Sequence, residues 1–217
     1  MIIAIDGLAA SGKGTLAKLL AQHFDYAHLD TGLLYRAVGV AVLQAGGDPA
    51  NPANAIAAAR ELDPPSVLNL GDAPALRSHA AGEAASKVAA IPAVREILLN
   101  FQRVFCATPP NGKKGAVLDG RDIGTVIAPQ AEAKLFVTAL PEIRAARRAK
   151  ELRARGENVT DATVLVEMQA RDQRDQQRGV APTLPAMDAR LLDTSRLTIE
   201  EALAEALDFI GSKQQKN

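Results

Sequence analysis

The sequence has one cysteine, no net charge and no long apolar run. Cys106 alone cannot form an intrachain disulfide, so we expect a reducing compartment, the cytoplasm. The formal net charge is +0, which argues against a molecule covered by a nucleic-acid-binding or membrane-binding surface. The N-terminus lacks a basic segment, and no stretch reaches about twenty uninterrupted apolar residues, so we expect neither secretion nor membrane spanning. A chain of 217 residues with 47% hydrophobic content suits one α/β domain with an insertion.

A glycine-rich loop follows the first apolar run of the chain. Ile2–Ile5 leads into the loop Gly7–Thr15, and an amphipathic helical pattern comes next. The amides of such a loop, together with the following helix N-terminus, bind phosphate groups. Lys13 is suited to the outer phosphates of a nucleotide and the Thr15 hydroxyl to Mg²⁺. Because Gly14 stands where the usual motif has Ser or Thr, an ordinary glycine-rich turn is the alternative.

Short apolar runs alternate with helical patterns along the whole chain. The runs are Ile2–Ile5, Tyr26–Leu29, Ala116–Leu118, Leu135–Val137 and Arg190–Leu192. This alternation predicts an α/β fold with a five-stranded, mostly parallel sheet and helices on both faces. Four runs end at or next to an aspartate, where the carboxyl ends of parallel strands face the ligand crevice. These aspartates are Asp6, Asp30, Asp119 and Asp193.

The remaining segments differ in composition from this alternating pattern. The stretch from Ala50 to about Ala90 is rich in Ala, Pro and Gly and predicts an inserted subdomain, followed by a helix from Pro92 to Phe105. Thr198 to Glu201 has the spacing of a capping box, which predicts the start of the last helix. The polar tail Ser212–Asn217 is expected to be frayed.

Arginines are frequent, as a site for two phosphorylated molecules requires. Arg171, Asp175 and Arg178 have i, i+4, i+7 spacing, which predicts a carboxylate held between two guanidinium groups on one helix face. That face is suited to a phosphorylated sugar, because arginines bind phosphate and a carboxylate accepts from ribose hydroxyls. A solvent-exposed helix with ion pairs is the alternative, and Gly179 and Pro182 are expected to end the helix.

The stretch 144–155 is the densest in basic residues. A helix that closes over a triphosphate has this composition, and so has a solvated helix face or a small nucleic-acid patch. Gly156 then offers a hinge for a mobile lid. Asp119, at a strand end, is suited to orient Mg²⁺ directly or through water, or else to cap the next helix. Asp30 and Thr31 likewise have either a site role or a capping role.

Several motifs occur in the order found in the bacterial cytidylate kinases, members of the nucleoside monophosphate kinase family, which the chain therefore resembles. They are Gly7–Thr15, Asp30–Arg36, Ser86–Arg95, Asp119–Thr125, Arg171–Arg178 and Val180–Pro182. The resemblance covers essentially the whole chain and implies a P-loop NTPase fold in a single domain, 1–217. Its core is expected at about 1–30, 115–145 and 180–212, with an acceptor-binding insert at about 31–110 and a short lid at about 146–165. Leu8 and Thr31 depart from the family, which often has Pro and Ser there.

The same resemblance implies transfer of the γ-phosphoryl group of ATP to CMP or dCMP, with Mg²⁺. Residues expected at ATP are Gly7, Leu8, Ala9, Ala10, Ser11, Gly12, Lys13, Gly14, Thr15 and Arg148. Residues expected at the acceptor nucleotide are Thr31, Arg36, Ser86, Arg95, Arg121, Asp122, Arg171, Asp175 and Arg178. Catalytic roles are expected for Lys13, Asp119, Arg121 and Arg178, and Mg²⁺ is expected on Thr15, with Asp119 acting through water.

Within the acceptor set, the resemblance divides the roles further. Arg36, Arg121 and Arg178 are expected to hold the acceptor phosphate, with Arg171 as a further ligand. Asp122 would accept from the cytosine amino group while Arg95 and Ser86 donate to ring N3 and O2, and Asp175 would bind the sugar.

The acceptor oxygen of such a reaction is already an anion, so no general base is needed. The alternatives are a P-loop kinase acting on UMP, AMP or shikimate, and a nucleotide-binding regulatory protein without catalysis. We expect a monomer whose partners are small molecules, with no nucleic acid and no membrane.

Overall fold

The computed structural model describes residues 1–71 and 73–214. Its centre is one five-stranded sheet in the order β2-β3-β1-β4-β5, and every pairing between these strands is parallel. The strands are β1 (Ile2–Gly7), β2 (Ala27–Asp30), β3 (Ala116–Gly120), β4 (Ala133–Thr138) and β5 (Arg190–Asp193). The five predicted strands are therefore confirmed, each with bounds shifted by at most a few residues.

Helices surround this sheet. They are α1 (Lys13–Phe24), α2 (Thr31–Gln44), α3 (Pro52–Glu61), α4 (Pro64–Asn69), α5 (Pro74–Arg77), α6 (His79–Ala89), α7 (Pro92–Ala107), α8 (Pro141–Ala154), α9 (Asp161–Gln177) and α10 (Ile199–Gln214). A 3₁₀ turn spans Pro110–Gly112, and a π-helical turn spans Ile123–Ile127 directly after β3.

The central strand is buried on both faces, as parallel sheets require. Side chains alternate along a strand, so Ile3 and Ile5 contact the layer that contains α1 and α10, which contributes Leu20 and Ile210. Ala4 lies in the opposite layer, beside residues of α7 and the π-helical turn. The predicted burial of the sheet between two helical layers is thus confirmed.

Helices α2 to α7, between β2 and β3, form a second hydrophobic cluster of their own. At its centre α2 crosses α6 so closely that a methyl group at Gly39 would lie 2.7 Å from Cβ of Ala84. Only glycine permits this approach, which fixes the position of α6 beside α2. Helices α8 and α9 pack against each other through small and aliphatic side chains, with the connection 155–160 between them.

Two helix termini bear on the sequence predictions. The capping box of α10 is confirmed, because Thr198 N donates to Glu201 Oε2 at 2.8 Å and Glu201 N donates to Thr198 Oγ1 at 3.2 Å. Helix α9 ends at Gln177, before the predicted stop at Gly179. Of the polar tail, Ser212–Gln214 are still helical, and 215–217 lie outside the described residues. No helix in the described ranges has both the length and the apolar content needed to cross a membrane.

Candidate active site

A cavity of ≈ 420 Å³ opens at the carboxyl ends of the central strands, between the phosphate-binding loop, α6 and α9. It brings together most of the residues singled out in the sequence. Its lining includes Ala9, Ala10, Gly12, Lys13, Gly14, Thr15, Thr31, Arg36, Ser86, Arg95, Asp119, Arg121, Asp122, Arg148, Arg171, Asp175 and Arg178. Gly7, Leu8 and Ser11 belong to the same loop but lie behind this lining.

The loop between β1 and α1 has the backbone geometry of a tight turn. At Gly7 a methyl group would lie 2.0 Å from the carbonyl oxygen of Val137, so a side chain would push β1 away from β4. Gly12 has φ +89°, and Ala10 occupies the left-handed region at φ +55°, where a residue with a side chain is strained. The helix then starts with the bond from Leu16 N to Gly12 O at 3.1 Å.

Lys13 extends along this loop and lines the cavity. Its Nζ donates to the carbonyl oxygen of Leu8 at 3.4 Å, a long bond that leaves the ammonium group weakly held. Burial, reinforced by the nearby Arg121, lowers the pKa of Lys13 to about 7. An anion in the cavity would restore the charge, so Lys13 has the electrostatics of an anion-binding residue without its anion.

Asp119, at the end of β3, is oriented by its neighbours. His28 Nε2 is 2.8 Å from Asp119 Oδ1, and the Thr31 hydroxyl donates to the Asp119 carbonyl oxygen at 2.8 Å. The second oxygen, Oδ2, faces the loop, 3.7 Å from the position that a Cβ on Gly14 would take. The carboxylate does not cap the next helical turn, since Asp6 accepts from the first two amides of that turn, at 2.7 and 2.8 Å.

The capping alternatives for Asp30 and Thr31 are also wrong. Helix α2 begins without a side-chain cap. Asp30 Oδ2 instead lies 3.0 Å from Nη1 of Arg77, the last residue of α5. Thr31 is buried, and its hydroxyl is used by the backbone of β3. Both residues therefore tie the start of α2 to the site.

One wall of the cavity pairs Asp122 with two arginines. Arg95 Nη2 donates to Asp122 Oδ2, and Arg178 Nη2 lies 3.9 Å from Oδ1. The guanidinium of Arg95 also lies over the Tyr35 ring, 5.4 Å from its centroid. All three charged groups are buried. A buried carboxylate beside fixed N–H donors is an arrangement that can pair with the hydrogen-bonding edge of a base.

A second carboxylate, Asp175 on α9, faces a different pair of arginines. The Ser86 hydroxyl donates to Asp175 Oδ1 at 2.9 Å, while Nε of Arg121 and of Arg171 lie 3.3 and 3.8 Å from Oδ2. The prediction that Asp175 lies between Arg171 and Arg178 is therefore half wrong. Because α9 ends at Gln177, Arg178 lies outside the helix, and its guanidinium lies near Asp122 instead.

Positive charge exceeds negative charge at the end of the cavity between α2, α6 and α9. Burial, together with repulsion from Arg171, lowers the pKa of Arg36 to about 9. Burial, with Arg121 next, lowers the pKa of Arg171 to about 10. Nε of Arg171 and Nη2 of Arg178 are buried without a hydrogen-bond partner among the described residues. A multiply charged anion would satisfy these donors and relieve the repulsion.

The basic stretch 144–155 contains both buried and exposed side chains. Arg144 is buried, lies 2.7 Å from Asp172 on α9 and donates to the carbonyl oxygen of Ala9 in the loop at 3.3 Å. Arg148 donates to the backbone carbonyl oxygens of Arg77 and Ser78. The exposed members are Lys150, Arg153 and Arg155. The stretch thus connects the loop and α6 on one side and is solvated on the other.

Four supporting residues of the site received no role in the sequence analysis: Asp6, His28, Arg77 and Arg174. Asp6 carried a weak signal, because it stands at the end of a strand. Alternation along β2 puts His28 on the same face as Asp30. The contact of His28 with Asp119 can be expected only once β2 is known to pair with β3, which sets Asp30 beside Asp119. The contact of Arg77 with Asp30 spans 47 residues, and those of Arg174 with Ser86 and Glu83 span 88 and 91, so local sequence gives no signal for them.

Sequence comparison places this cavity in a known context. The sequence model of the family described as "Cytidylate kinase" matches residues 3–212. A cytidylate kinase of Rhodospirillum rubrum is 57% identical over 216 residues, which cover 100% of both chains. One of Nitrobacter winogradskyi is 58% identical over 212 residues, covering 98% of this chain and 96% of the relative.

Solved structures agree at the level of the fold. The chain is similar to an uncharacterized protein from Eubacterium ventriosum, with a TM-score of 0.54, 18% identity and coverage of 98% of this chain and 99% of that one. It is also similar to an unliganded sugar kinase from Janibacter, with a TM-score of 0.50, 14% identity and coverage of 97% and 94%. Together with the full-length sequence matches, the cavity and its loop lead to one conclusion: the chain belongs to the cytidylate kinase family.

Proposed function

We propose that this protein transfers the γ-phosphoryl group of ATP to CMP or dCMP, giving ADP and CDP or dCDP. The observation that carries the proposal is the cavity itself, which joins a phosphate-binding loop at one end to a cluster of buried arginines and aspartates at the other. Each end suits one polyanion, and the two ends adjoin. Family membership supports the same assignment.

The loop end of the cavity is the proposed site of ATP. Amides of Gly7–Thr15 and the N-terminus of α1 would bind the phosphates, with the charge of Lys13 added at the outer ones. Arg148, which reaches from α8 towards the start of α6, would approach the same phosphates. We place the donor here because these groups supply amides and cations rather than carboxylates.

Mg²⁺ fits the oxygen ligands available beside the loop. Thr15 and Asp119 both line this part of the cavity, with Oδ2 of Asp119 beside Gly14, and hard oxygen ligands are those Mg²⁺ prefers. When bound, the ion would neutralise charge on the donor phosphates. Asp119 would orient it, directly or through water, while His28 holds the other carboxylate oxygen in place.

The arginine end is the proposed site of the acceptor. Arg36, Arg121, Arg171 and Arg178 would share its phosphate group, because three of them have buried, weakly compensated charges. On binding they would pair with phosphate oxygens through planar, bidentate contacts. Arg178, which also donates to the carbonyl oxygen of Ala181, would then lie between the phosphate and Asp122 and link the phosphate position to the base position.

Asp122 and Arg95 are proposed to read the cytosine base, with the Ser86 hydroxyl beside them bonded to Asp175. A carboxylate accepts from the exocyclic amino group, whereas uracil presents a carbonyl oxygen there and repels it. Arg95 is held by Asp122 and by the Tyr35 ring, so its donors have a fixed direction. Asp175 is proposed to bind the sugar, and buried Thr31 supports the site through β3.

The proposed reaction needs no general base. The attacking oxygen belongs to a phosphate that is already ionised, so the side chains of the cavity need only align two anions and neutralise their repulsion. Closure of the stretch 146–165 over the donor would exclude water and suppress ATP hydrolysis. We further propose that a single chain in the cytoplasm is the working unit, because both ends of the cavity come from one chain.

A coupled assay of ADP release tests the proposal. ATP and Mg²⁺ are supplied with CMP, dCMP, UMP, AMP or shikimate in turn. We expect CMP and dCMP to give the highest rates and Lys13→Ala to lower turnover by orders of magnitude while the variant remains folded. ATP binding without acceptor-dependent ADP release would instead identify a nucleotide-binding regulatory protein, and preference for UMP, AMP or shikimate would identify a different kinase.

A further inference from the structure

Arg174 connects the two helices that flank the acceptor end of the cavity. It lies on α9, directly before Asp175. Its Nη1 donates to the hydroxyl oxygen of Ser86 at 2.9 Å, and its Nη2 donates to Oε1 of Glu83 at 2.9 Å, both on α6. Ser86 and Glu83 line the cavity, whereas Arg174 stands behind them, with about a third of its side chain exposed (31%).

The direction of every hydrogen bond in this group is determined by chemistry. A guanidinium can only donate, and an ionised carboxylate can only accept. Ser86 has one hydroxyl hydrogen, and since its oxygen already accepts from Arg174, that hydrogen goes to Asp175 Oδ1, 2.9 Å away. The result is a directed chain in which Arg174 donates to Ser86 and Ser86 donates to Asp175.

Asp175 is ionised in this setting, as an acceptor at the end of this chain of hydrogen bonds must be. Burial alone would raise the pKa of Asp175, but Arg121, Arg171 and the Ser86 hydroxyl together bring that pKa below its ordinary value. Ser86 thus holds one carboxylate oxygen while the two arginines face the other. The orientation of Asp175 therefore depends on where the Ser86 hydrogen points.

We propose that Arg174 is a positioning residue for the acceptor nucleotide. By donating to the Ser86 hydroxyl oxygen, Arg174 turns the Ser86 hydrogen towards Asp175 and so fixes the Asp175 carboxylate where the sugar and phosphate of the acceptor meet. Glu83 anchors the guanidinium of Arg174 for this contact. The inference rests on the proposed function. It assigns to Ser86 an action through Asp175, in place of the direct donation to the base expected from the sequence.

Steady-state kinetics of Arg174→Met test the role. Charge-assisted hydrogen bonds support an effect of this size: we expect KM for CMP to rise about tenfold, with KM for ATP within about twofold of the wild-type value. Glu83→Gln, which weakens the anchor of Arg174 at a partly exposed position and is not expected to unfold the protein, should raise KM for CMP about threefold. Lys87→Met removes a positive charge from the same helix α6 and is the matched control, expected to leave both KM values unchanged.

A double-mutant cycle distinguishes action through Ser86 from an independent effect. Ser86→Ala and the double variant Ser86→Ala/Arg174→Met should have KM values for CMP within about twofold of each other, because Arg174 then has no hydroxyl to orient. Calorimetric titration with CMP should give the same order of dissociation constants. Thermal melting of each variant checks that it is folded.

Four results would overturn the assignment: multiplicative effects in the double variant, an unchanged KM for CMP in Arg174→Met, an unchanged KM for CMP in Glu83→Gln, or an equal rise in KM for ATP. The Glu83→Gln measurement decides the matter if Arg174→Met does not fold. If the wild-type protein itself releases no ADP with CMP, the proposed function is wrong and this inference falls with it. If the wild type is active and the variants match it, only the role of Arg174 is lost.

Discussion

Lys13 is expected to take up a proton when ATP binds. In the ligand-free protein burial and Arg121 lower the pKa of Lys13 to about 7. A triphosphate beside the ammonium group favours the charged form and raises the pKa of Lys13 again, by about 1–3 units. Binding at a pH above 7 therefore requires a proton from solvent, and the affinity for ATP should fall as the pH rises beyond 7.

The size of this uptake follows from the two pKa values of Lys13. With the pKa at about 7 in the free protein, about a tenth of Lys13 is charged at pH 8 and about nine tenths at pH 6. With the pKa at about 8–10 in the complex, we expect uptake of about 0.4–0.9 proton at pH 8 and about 0.1 proton or less at pH 6. The difference between the two pH values is the signature of Lys13.

Calorimetric titration with ATP and Mg²⁺, in pairs of buffers that differ in ionisation enthalpy, measures the uptake directly. Lys13→Arg is the matched control, because a guanidinium keeps its charge at both pH values and can still pair with phosphate. Subtracting the proton uptake of Lys13→Arg from that of the wild type removes the contribution of protons that the nucleotide itself gains or loses on binding. Equal uptake by the wild type and Lys13→Arg at pH 8 would refute the reasoning about Lys13.

Substitutions at three further residues test other parts of the structure. Asp122→Asn should lower the ratio of kcat/KM for CMP to that for UMP by about tenfold or more, because an amide can donate to the uracil carbonyl; an unchanged ratio would exclude Asp122 as the base reader. Asp6→Ala should lower the free energy of unfolding by about 2–4 kcal/mol in urea denaturation, since two buried amides lose their acceptor; a loss below about 1 kcal/mol would contradict this. His28→Leu should raise the Mg²⁺ concentration for half-maximal ADP release about threefold or more. His28→Gln keeps a donor to Asp119 and should have a smaller effect. Equal Mg²⁺ dependence in the wild type and both variants would argue against orientation of the carboxylate by His28.

Much of the fold was predictable because the signals are local. Buried parallel strands are short continuous apolar runs, and each of the five runs here is followed directly by an aspartate or a threonine. The carboxyl ends of such strands meet at one edge, so Asp30 and Asp119 were expected near the loop before any contact was known. The structure places both at this edge, in register with each other on β2 and β3.

The partners of the charged residues were not predictable in the same way. Helical spacing correctly brought Arg171 to Asp175, which are one turn apart. It failed for Arg178, because a helix that ends one residue earlier sends the side chain elsewhere, and no periodicity specifies that end. The bond between Arg121 and Asp175 spans 54 residues and depends on how α9 docks against the sheet, which is a property of packing and not of local sequence.

The arginine cluster implies a conflict between stability and binding. Burial and neighbouring arginines, Arg171 foremost, lower the pKa of Arg36 to about 9, so the folded protein holds this charge less favourably than the unfolded chain does. A basic group whose pKa is lowered by folding destabilises the folded state at pH 7, and the destabilisation disappears only at pH values above the unfolded pKa. Removing the charge should therefore relieve the ligand-free protein.

Arg36→Met makes this conflict measurable. We expect the ligand-free variant to melt at or above the wild-type temperature, because the relief of repulsion opposes the loss of the hydrogen bond from Arg36 to the carbonyl oxygen of Leu76. Addition of CMP should raise the melting temperature of the wild type but barely that of the variant, since a bound phosphate stabilises only the protein that pairs with it. A ligand-free variant that melts well below the wild type would mean that Arg36 supports the fold through Leu76. In that case repulsion among the buried arginines would not be a destabilisation that the ligand-free protein carries in order to bind the acceptor phosphate.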